Sequence, residues 1–165
     1  MKTVAFVPIR LNSQRVSGKN LRLLGGEPLM CHILRTLTRV EADLYVLAHA
    51  TLPFIRPETI SGALAKVQSG EYDSAFSAEK IQTFAWFKGR PLNYALDNIP
   101  RTQTIEPVYI ETSAFFIFPR GLWCGDHRRI GDRPYMAVVE RVEGLDIDYP
   151  EDFAMAEIIA ASRGL

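Results

Sequence analysis

The sequence predicts an α/β fold, a doubly wound and mostly parallel sheet, and three observations carry that expectation. Short, mostly apolar runs at 4–9, 43–48 and 114–118 carry β-branched or aromatic residues, as strands buried on both faces do. Stretches with helical spacing lie between the strand segments, and strand–helix alternation is the mark of a parallel sheet. The first run ends in a polar loop carrying Arg10, Ser13, Arg15, Lys19 and Asn20, just past a strand's carboxyl end, where open α/β sheets bind ligands.

The elements follow in order. Residues 4–9 form the first strand. Pro28 opens a helix with Leu29, Ile33, Leu34 and Leu37 on one face. Residues 43–48 are a buried strand leading into a loop at 49–54. Residues 57–68 read as a helix, because Ile60, Ala63, Leu64 and Val67 recur at its period. A strand at 72–77 follows. The aromatic, turn-rich stretch 84–94 suggests a hairpin or arm. Arg101, Thr102 and Gln103 begin a polar loop. Residues 114–118 are another buried strand, and 135–139 and 144–147 are short ones. Residues 150–162 close the chain as a helix, with Pro150 at its start and Glu151 and Asp152 in its first turn. No internal repeat or low-complexity linker divides the 165 residues, so 1–165 reads as a single domain, with 81–106 as an arm within it.

Composition narrows the function. Formal net charge is zero, so the early cations matter as a local cluster and general nucleic-acid affinity is not expected. No apolar stretch is long enough to span a bilayer. Cys31 and Cys124 lack paired spacing and no signal peptide is evident, which suits a cytoplasmic protein. The three histidines have no metal-ligand spacing. Cations and free N–H groups converging in the first loop suit a polyphosphate. That loop is neither a P-loop nor a dinucleotide fingerprint, since GxxxxGK[ST] and GxGxxG are both absent. A solvated basic turn is the plainer reading of the same residues.

Arg10-x-x-Ser13-x-Arg15-x-x-x-Lys19-Asn20, followed by Leu24-Gly25-Gly26-Glu27-Pro28-Leu29, resembles the signature loop of the sugar nucleotidyltransferases. Within that group it is most similar to the acylneuraminate cytidylyltransferases, which make CMP-activated nonulosonic acids. Ile9 stands where that family usually has Ala, and Ser17 where Pro is common. The resemblance continues through His49-Ala50-Thr51-Leu52-Pro53-Phe54, with Leu52 for Ser, and Tyr72-Asp73-Ser74-Ala75-Phe76-Ser77. It extends to Arg101-Thr102-Gln103, Glu111-Thr112-Ser113-Ala114 and Asp146-Ile147-Asp148-Tyr149-Pro150.

The resemblance implies a shortened Rossmann-like sheet of the nucleotide-diphospho-sugar transferase type. It also implies transfer of CMP from CTP to an acidic nonulosonic sugar, with release of pyrophosphate. Arg10 and Lys19 would hold the triphosphate, with Ser13, Arg15 and Asn20 beside them. Asp146 and Asp148 lie two apart at an expected strand end, so both point to one side, and paired carboxylates suit Mg²⁺. A surface acidic turn capping the helix at Pro150 is the other reading, and Glu151 and Asp152 fit it better. Arg101 and Gln103 suit the acceptor's carboxylate, with His49, Thr51, Tyr109, Glu111 and Thr112 as further wall. Tyr109 reads equally well as a half-buried strand residue. Phe84, Trp86, Phe87, Phe115 and Phe116 suit a core or subunit interface better than a base-stacking platform. The resemblance implies a homodimer in which 81–106 is the dimerisation arm.

One part of the family pattern is absent. Members carry about two further βα units, ~30 residues each, between the first helix and the loop at His49. Here Cys31 runs through Val40 straight to Asp43. The missing units hold much of the cytosine and ribose pocket in the family, so base selection is in question. Two alternatives stay open: another sugar nucleotidyltransferase, acting on 3-deoxy-octulosonate or a sugar phosphate, and a non-catalytic remnant that keeps the fold and dimer interface.

Overall fold

A computed structural model of the chain describes residues 1–6, 23–24, 27–28 and 42–163, the two short segments by backbone alone. In chain order the elements are β1 (Thr3–Phe6), β2 (Leu23–Leu24), β3 (Glu27–Pro28), β4 (Leu44–Ala48), α1 (Pro57–Gln68) and β5 (Ser74–Ile81). The hairpin strands β6 (Trp86–Phe87) and β7 (Arg90–Pro91) come next, then β8 (Val108–Pro119), α2 (Arg120–Asp126), β9 (Pro134–Val139) and α3 (Pro150–Arg163).

Five strands form one sheet in the order β1-β4-β8-β5-β9. β1 pairs parallel with β4, and β5 with β9, while β8 is antiparallel to both of its neighbours. Four strands therefore share one direction and β8 alone runs against them, which is the mostly parallel sheet expected. Both faces are covered, as near-continuous apolar strands require. Leu44, Val46, Ala75, Phe115, Ile117 and Ala137 face α1 and meet its Ala63 and Val67. Tyr45, Leu47, Phe116 and Phe118 form the opposite face, with Val4, Phe6, Phe76 and, from α2, Leu122 and Trp123. The period-two alternation along β4 sets this division.

Helix α1 spans the expected residues, starting at Pro57 because proline's fixed φ and missing N–H suit a first helical position. The loop at 49–54 and the closing helix are also where they were expected. The aromatic stretch contains the hairpin β6–β7, turned through Lys88 and Gly89, both at positive φ (50° and 75°). Among the described residues no helix is long and apolar enough to cross a membrane.

Four expectations change. Residues 144–147 are not a strand: Gly144 N–H and Leu145 N–H fold back onto Glu140 O and Val142 O in tight turns. Pro28 lies in β3, opposite Leu23, rather than at a helix start; the helix expected beyond it, and the end of the first strand, lie outside the described residues. β5 begins at Ser74 and runs on to Ile81, because its charged residues Glu79 and Lys80 still pair with β8. β8 extends from Val108, its outer half reading as polar loop in sequence because the residues there are exposed. The short helix α2 has no counterpart among the expected elements.

Candidate active site

Strand β4 delivers the chain to a loop anchored by two buried apolar residues, Leu52 and Phe54. The Arg163 guanidinium of α3 lies 5.6 Å from the Phe54 ring centroid and closes over it. Two backbone bonds fix the loop from opposite sides. His49 N–H donates to Ala114 O of β8 at 3.0 Å, and Ile147 N–H donates to Thr51 O at 2.9 Å. The loop after β4, the middle of β8 and the segment before α3 therefore meet at the carboxyl end of a parallel strand, the usual ligand position in such sheets.

A wide bulge in β8 shapes this meeting point. Phe116 pairs with Phe76 and Glu111 with Ala78, so residues 112–115 all face the single residue Ser77. Ser113 turns the bulge at a φ of 60°. Ser77, fully buried, fills the gap: its Oγ accepts from Phe115 N–H at 3.2 Å and from Thr112 Oγ1 at 2.8 Å. Gly144 comes so near that a β-carbon there would lie 3.2 Å from Thr112 Cγ2 and from Val139 Cγ2.

His49 is half-buried beside Phe116, ring centroids 6.2 Å apart, and the Arg129 guanidinium carbon sits 4.1 Å from the same ring centroid. Burial, then the Arg129 charge, hold the His49 pKa below its ordinary value, with Asp146 partly opposing them. Both effects favour the neutral imidazole. Asp146 Oδ1 is buried without a hydrogen-bond partner. A carboxylate oxygen in that condition is costly unless a cation or donor completes it. Asp152 instead caps α3, its Oδ2 accepting from Asp148 N–H (3.1 Å) and Tyr149 N–H (2.8 Å).

Of the residues singled out in sequence, His49, Thr51, Thr112 and Asp146 come together here, and Asp148, exposed, follows two residues beyond Asp146. Tyr109 and Glu111 lie on the exposed outer half of β8, paired with Lys80 and Ala78. Arg101 and Gln103 are exposed in a separate turn, where Arg101 O accepts from Ile105 N–H and Gln82 Nε2 donates to Gln103 O. Arg10, Ser13, Arg15, Lys19 and Asn20 lie outside the described residues. Among the described residues no group of three or more His, Cys, Asp or Glu could enclose a metal. One or two carboxylates still fit Mg²⁺, which keeps waters and shares phosphate oxygens, and the unpartnered Asp146 oxygen is the donor type it takes.

Sequence reasoning missed three residues. Arg129 carries no motif, and only its place in the basic run His127-Arg128-Arg129 hinted at it. Ser77 reads as an ordinary strand residue. Glu143 is buried, and accepts from Arg56 N–H (3.0 Å), Arg56 Nε (3.1 Å) and Thr59 Oγ1. It caps α1 from another segment, a long-range link that no local pattern announces.

The family described as Cytidylyltransferase matches residues 4–42. CMP-N,N'-diacetyllegionaminic acid synthase of Legionella pneumophila is 29% identical over 98 residues, covering 51% of this chain and 42% of that relative. The matched region thus spans less than half of the relative's length. A solved CMP:2-keto-3-deoxy-manno-octonic acid synthetase complexed with CTP superposes with a TM-score of 0.62 at 14% identity, covering 99% of this chain and 100% of its own. The 2-C-methyl-D-erythritol 4-phosphate cytidylyltransferase of Thermus thermophilus gives 0.52 at 12% identity, covering 98% and 100%. At such identities these likenesses establish the fold. The two sequence matches show similarity to cytidylyltransferases, among them a CMP-nonulosonic acid synthase, over part of the chain's length.

Proposed function

We propose that this chain transfers CMP from CTP to an acidic nonulosonic sugar and releases pyrophosphate. The observation that carries this is the buried, unpartnered Asp146 oxygen where the loop after β4, the middle of β8 and the segment before α3 meet. In the reaction an acceptor hydroxyl oxygen attacks the α-phosphorus, the bond to the bridging oxygen breaks, and pyrophosphate departs with that electron pair. The chain's own contribution is positioning and charge stabilisation. Arg10 and Lys19 hold the triphosphate and leaving group, with Ser13, Arg15 and Asn20 beside them. His49, as a neutral imidazole, accepts a hydrogen bond from an acceptor hydroxyl. Thr51 and Thr112 line the sugar side.

Asp146 and Asp148 would hold Mg²⁺, which when bound neutralises phosphate charge and makes the attacking hydroxyl more acidic. Arg101 and Gln103 reach an acceptor only across a homodimer, in which the 81–106 arm enters the partner's site. The exposed Trp86, Phe87, Leu96 and Ile99 on that arm support this arrangement.

The experiment is calorimetry of CTP and UTP binding to the 165-residue chain, with and without Mg²⁺. It is followed by pyrophosphate release with nonulosonic acids, 3-deoxy-octulosonate and sugar phosphates. Magnesium-dependent binding selective for CTP, and turnover with a nonulosonic acid, are expected. Absence of nucleotide binding would leave a non-catalytic remnant, and turnover with the octulosonate alone would reassign the acceptor.

A further inference from the structure

We infer that Arg129 is the acceptor-carboxylate anchor contributed by the same chain as His49 and Asp146. This rests on the acidic-sugar reading above.

Arg128 and Arg133 already have oxygen acceptors, whereas Arg129 has a ring contact and, among the described residues, no carboxylate. Arg128 Nη2 donates to Asp132 Oδ1 at 2.7 Å. His127, at a φ of 55°, ends α2 with its N–H bonded to Trp123 O. Gly131 N–H donates to Ser74 Oγ at 2.8 Å, and the Asp132 and Arg133 N–H groups donate to Asp73 Oδ2 at 2.9 and 2.8 Å. These bonds tie the segment to the start of β5 immediately beyond Arg129. Arg129 itself is exposed, and among the described residues it has no carboxylate within ion-pair distance.

Its position is nevertheless set. The guanidinium carbon lies 4.1 Å from the Phe116 ring centroid, and Phe116 is fully buried in the sheet. A cation–π contact holds the charge without consuming N–H donors. A guanidinium so held keeps its planar fork for a carboxylate, which it binds with two parallel hydrogen bonds. The Phe116 ring also borders His49, so an acid bound at Arg129 places its hydroxyls toward His49, Thr51 and Asp146. In the reading above the triphosphate is taken by Arg10 and Lys19, which leaves Arg129 for the acceptor.

The test uses the intact chain and its Arg129→Ala, Arg129→Lys and Arg101→Ala variants, each checked for folding by circular dichroism. Calorimetry is run with N,N'-diacetyllegionaminate, its methyl ester, and CTP with Mg²⁺. We expect Arg129→Ala to weaken the acid by ~10- to 150-fold, the value of a charged hydrogen bond. It should leave the ester and CTP unchanged, with Arg129→Lys intermediate. Equal binding of acid and ester by the unaltered chain overturns the anchor while sparing the CTP reading. So does a loss confined to Arg101→Ala. Weakened CTP with unchanged acid overturns it by moving Arg129 to the phosphates. Failure of the unaltered chain to bind either the sugar or CTP overturns the proposed function and the anchor together.

Discussion

The Asp73 carboxylate occupies the space in which a side chain at Gly131 would begin. A β-carbon there would stand 2.7 Å from Asp73 Oδ2 and closer still to Oδ1 and Cγ. The missing side chain lets Asp73 receive Asp132 N–H, Arg133 N–H and Ser74 Oγ–H at once. Gly131→Ala must either expel the carboxylate or displace the loop. We expect a loss of roughly 1–3 kcal/mol, the usual cost of overpacking. Urea denaturation measures it. In an Asp73→Gly background the same substitution should cost far less, and equal costs in both backgrounds would show that the two residues do not interact.

Glu143 makes stability depend on acid. Burial raises its carboxyl pKa, but hydrogen bonds from Thr59 and Arg56 outweigh that and hold it below the ordinary value. A carboxyl lowered in the folded state contributes stability that is complete above its unfolded pKa, about 4.3. That stability is lost as pH falls through the folded value. Urea midpoints should therefore fall less steeply below about pH 4 for Glu143→Gln than for the unaltered chain. At neutral pH the variant should be less stable by about 1–3 kcal/mol, because donors of α1 lose a charged acceptor. Parallel acid limbs would remove Glu143 from the acid transition.

Ser77 closes the β8 bulge, serving Phe115 N–H and Thr112 Oγ1 with one hydroxyl. Ser77→Ala leaves a buried backbone donor unpaired and should cost ~1–3 kcal/mol. It should also slacken residues 112–115. Amide hydrogen exchange at Phe115 should quicken while Phe118, farther along β8, keeps its protection; uniform change across the strand would contradict a local plug.

Asp146→Asn separates stability from metal use. Its buried Oδ1 has no partner to lose and the amide removes an uncompensated charge, so the urea midpoint without metal should be equal to or above that of the unaltered chain. Calorimetric CTP affinity in the presence of Mg²⁺ should fall to the level seen without it. Magnesium enhancement that survives the substitution would exclude Asp146 as a ligand.

The legible parts of this fold were those with local signals. Pro57 and the spacing of Ile60, Ala63, Leu64 and Val67 mark α1 at its observed bounds, and the aromatic, turn-rich stretch 84–94 announces its hairpin. The loop at the carboxyl end of β4 was legible through the motif around it. Long-range relations were not: the reversal of β8, the plug at Ser77 and the cap at Glu143 depend on partners tens of residues away. Residues 144–147 mislead because Leu145 and Ile147, alternating about Asp146, have the look of a strand, whereas Gly144 turns the chain beneath Thr112. Arg129 was hidden because its value lies in what its neighbours already hold.

The reversed strand at the centre of the sheet also governs how the chain finds its structure. β4 and β5 do not pair with each other; each is hydrogen-bonded to β8, whose Pro119 meets Leu44 and whose Ile117 meets Ala75. Neither parallel pair can enter the common sheet until that later strand has been synthesised and docked. Such distant contacts carry a high loop-closure cost before they return any stability, and proteins built on them fold slowly. During that delay the apolar edges of β4 and β5 are open to other chains, so the arrival of β8 is the step at which productive folding and aggregation part company.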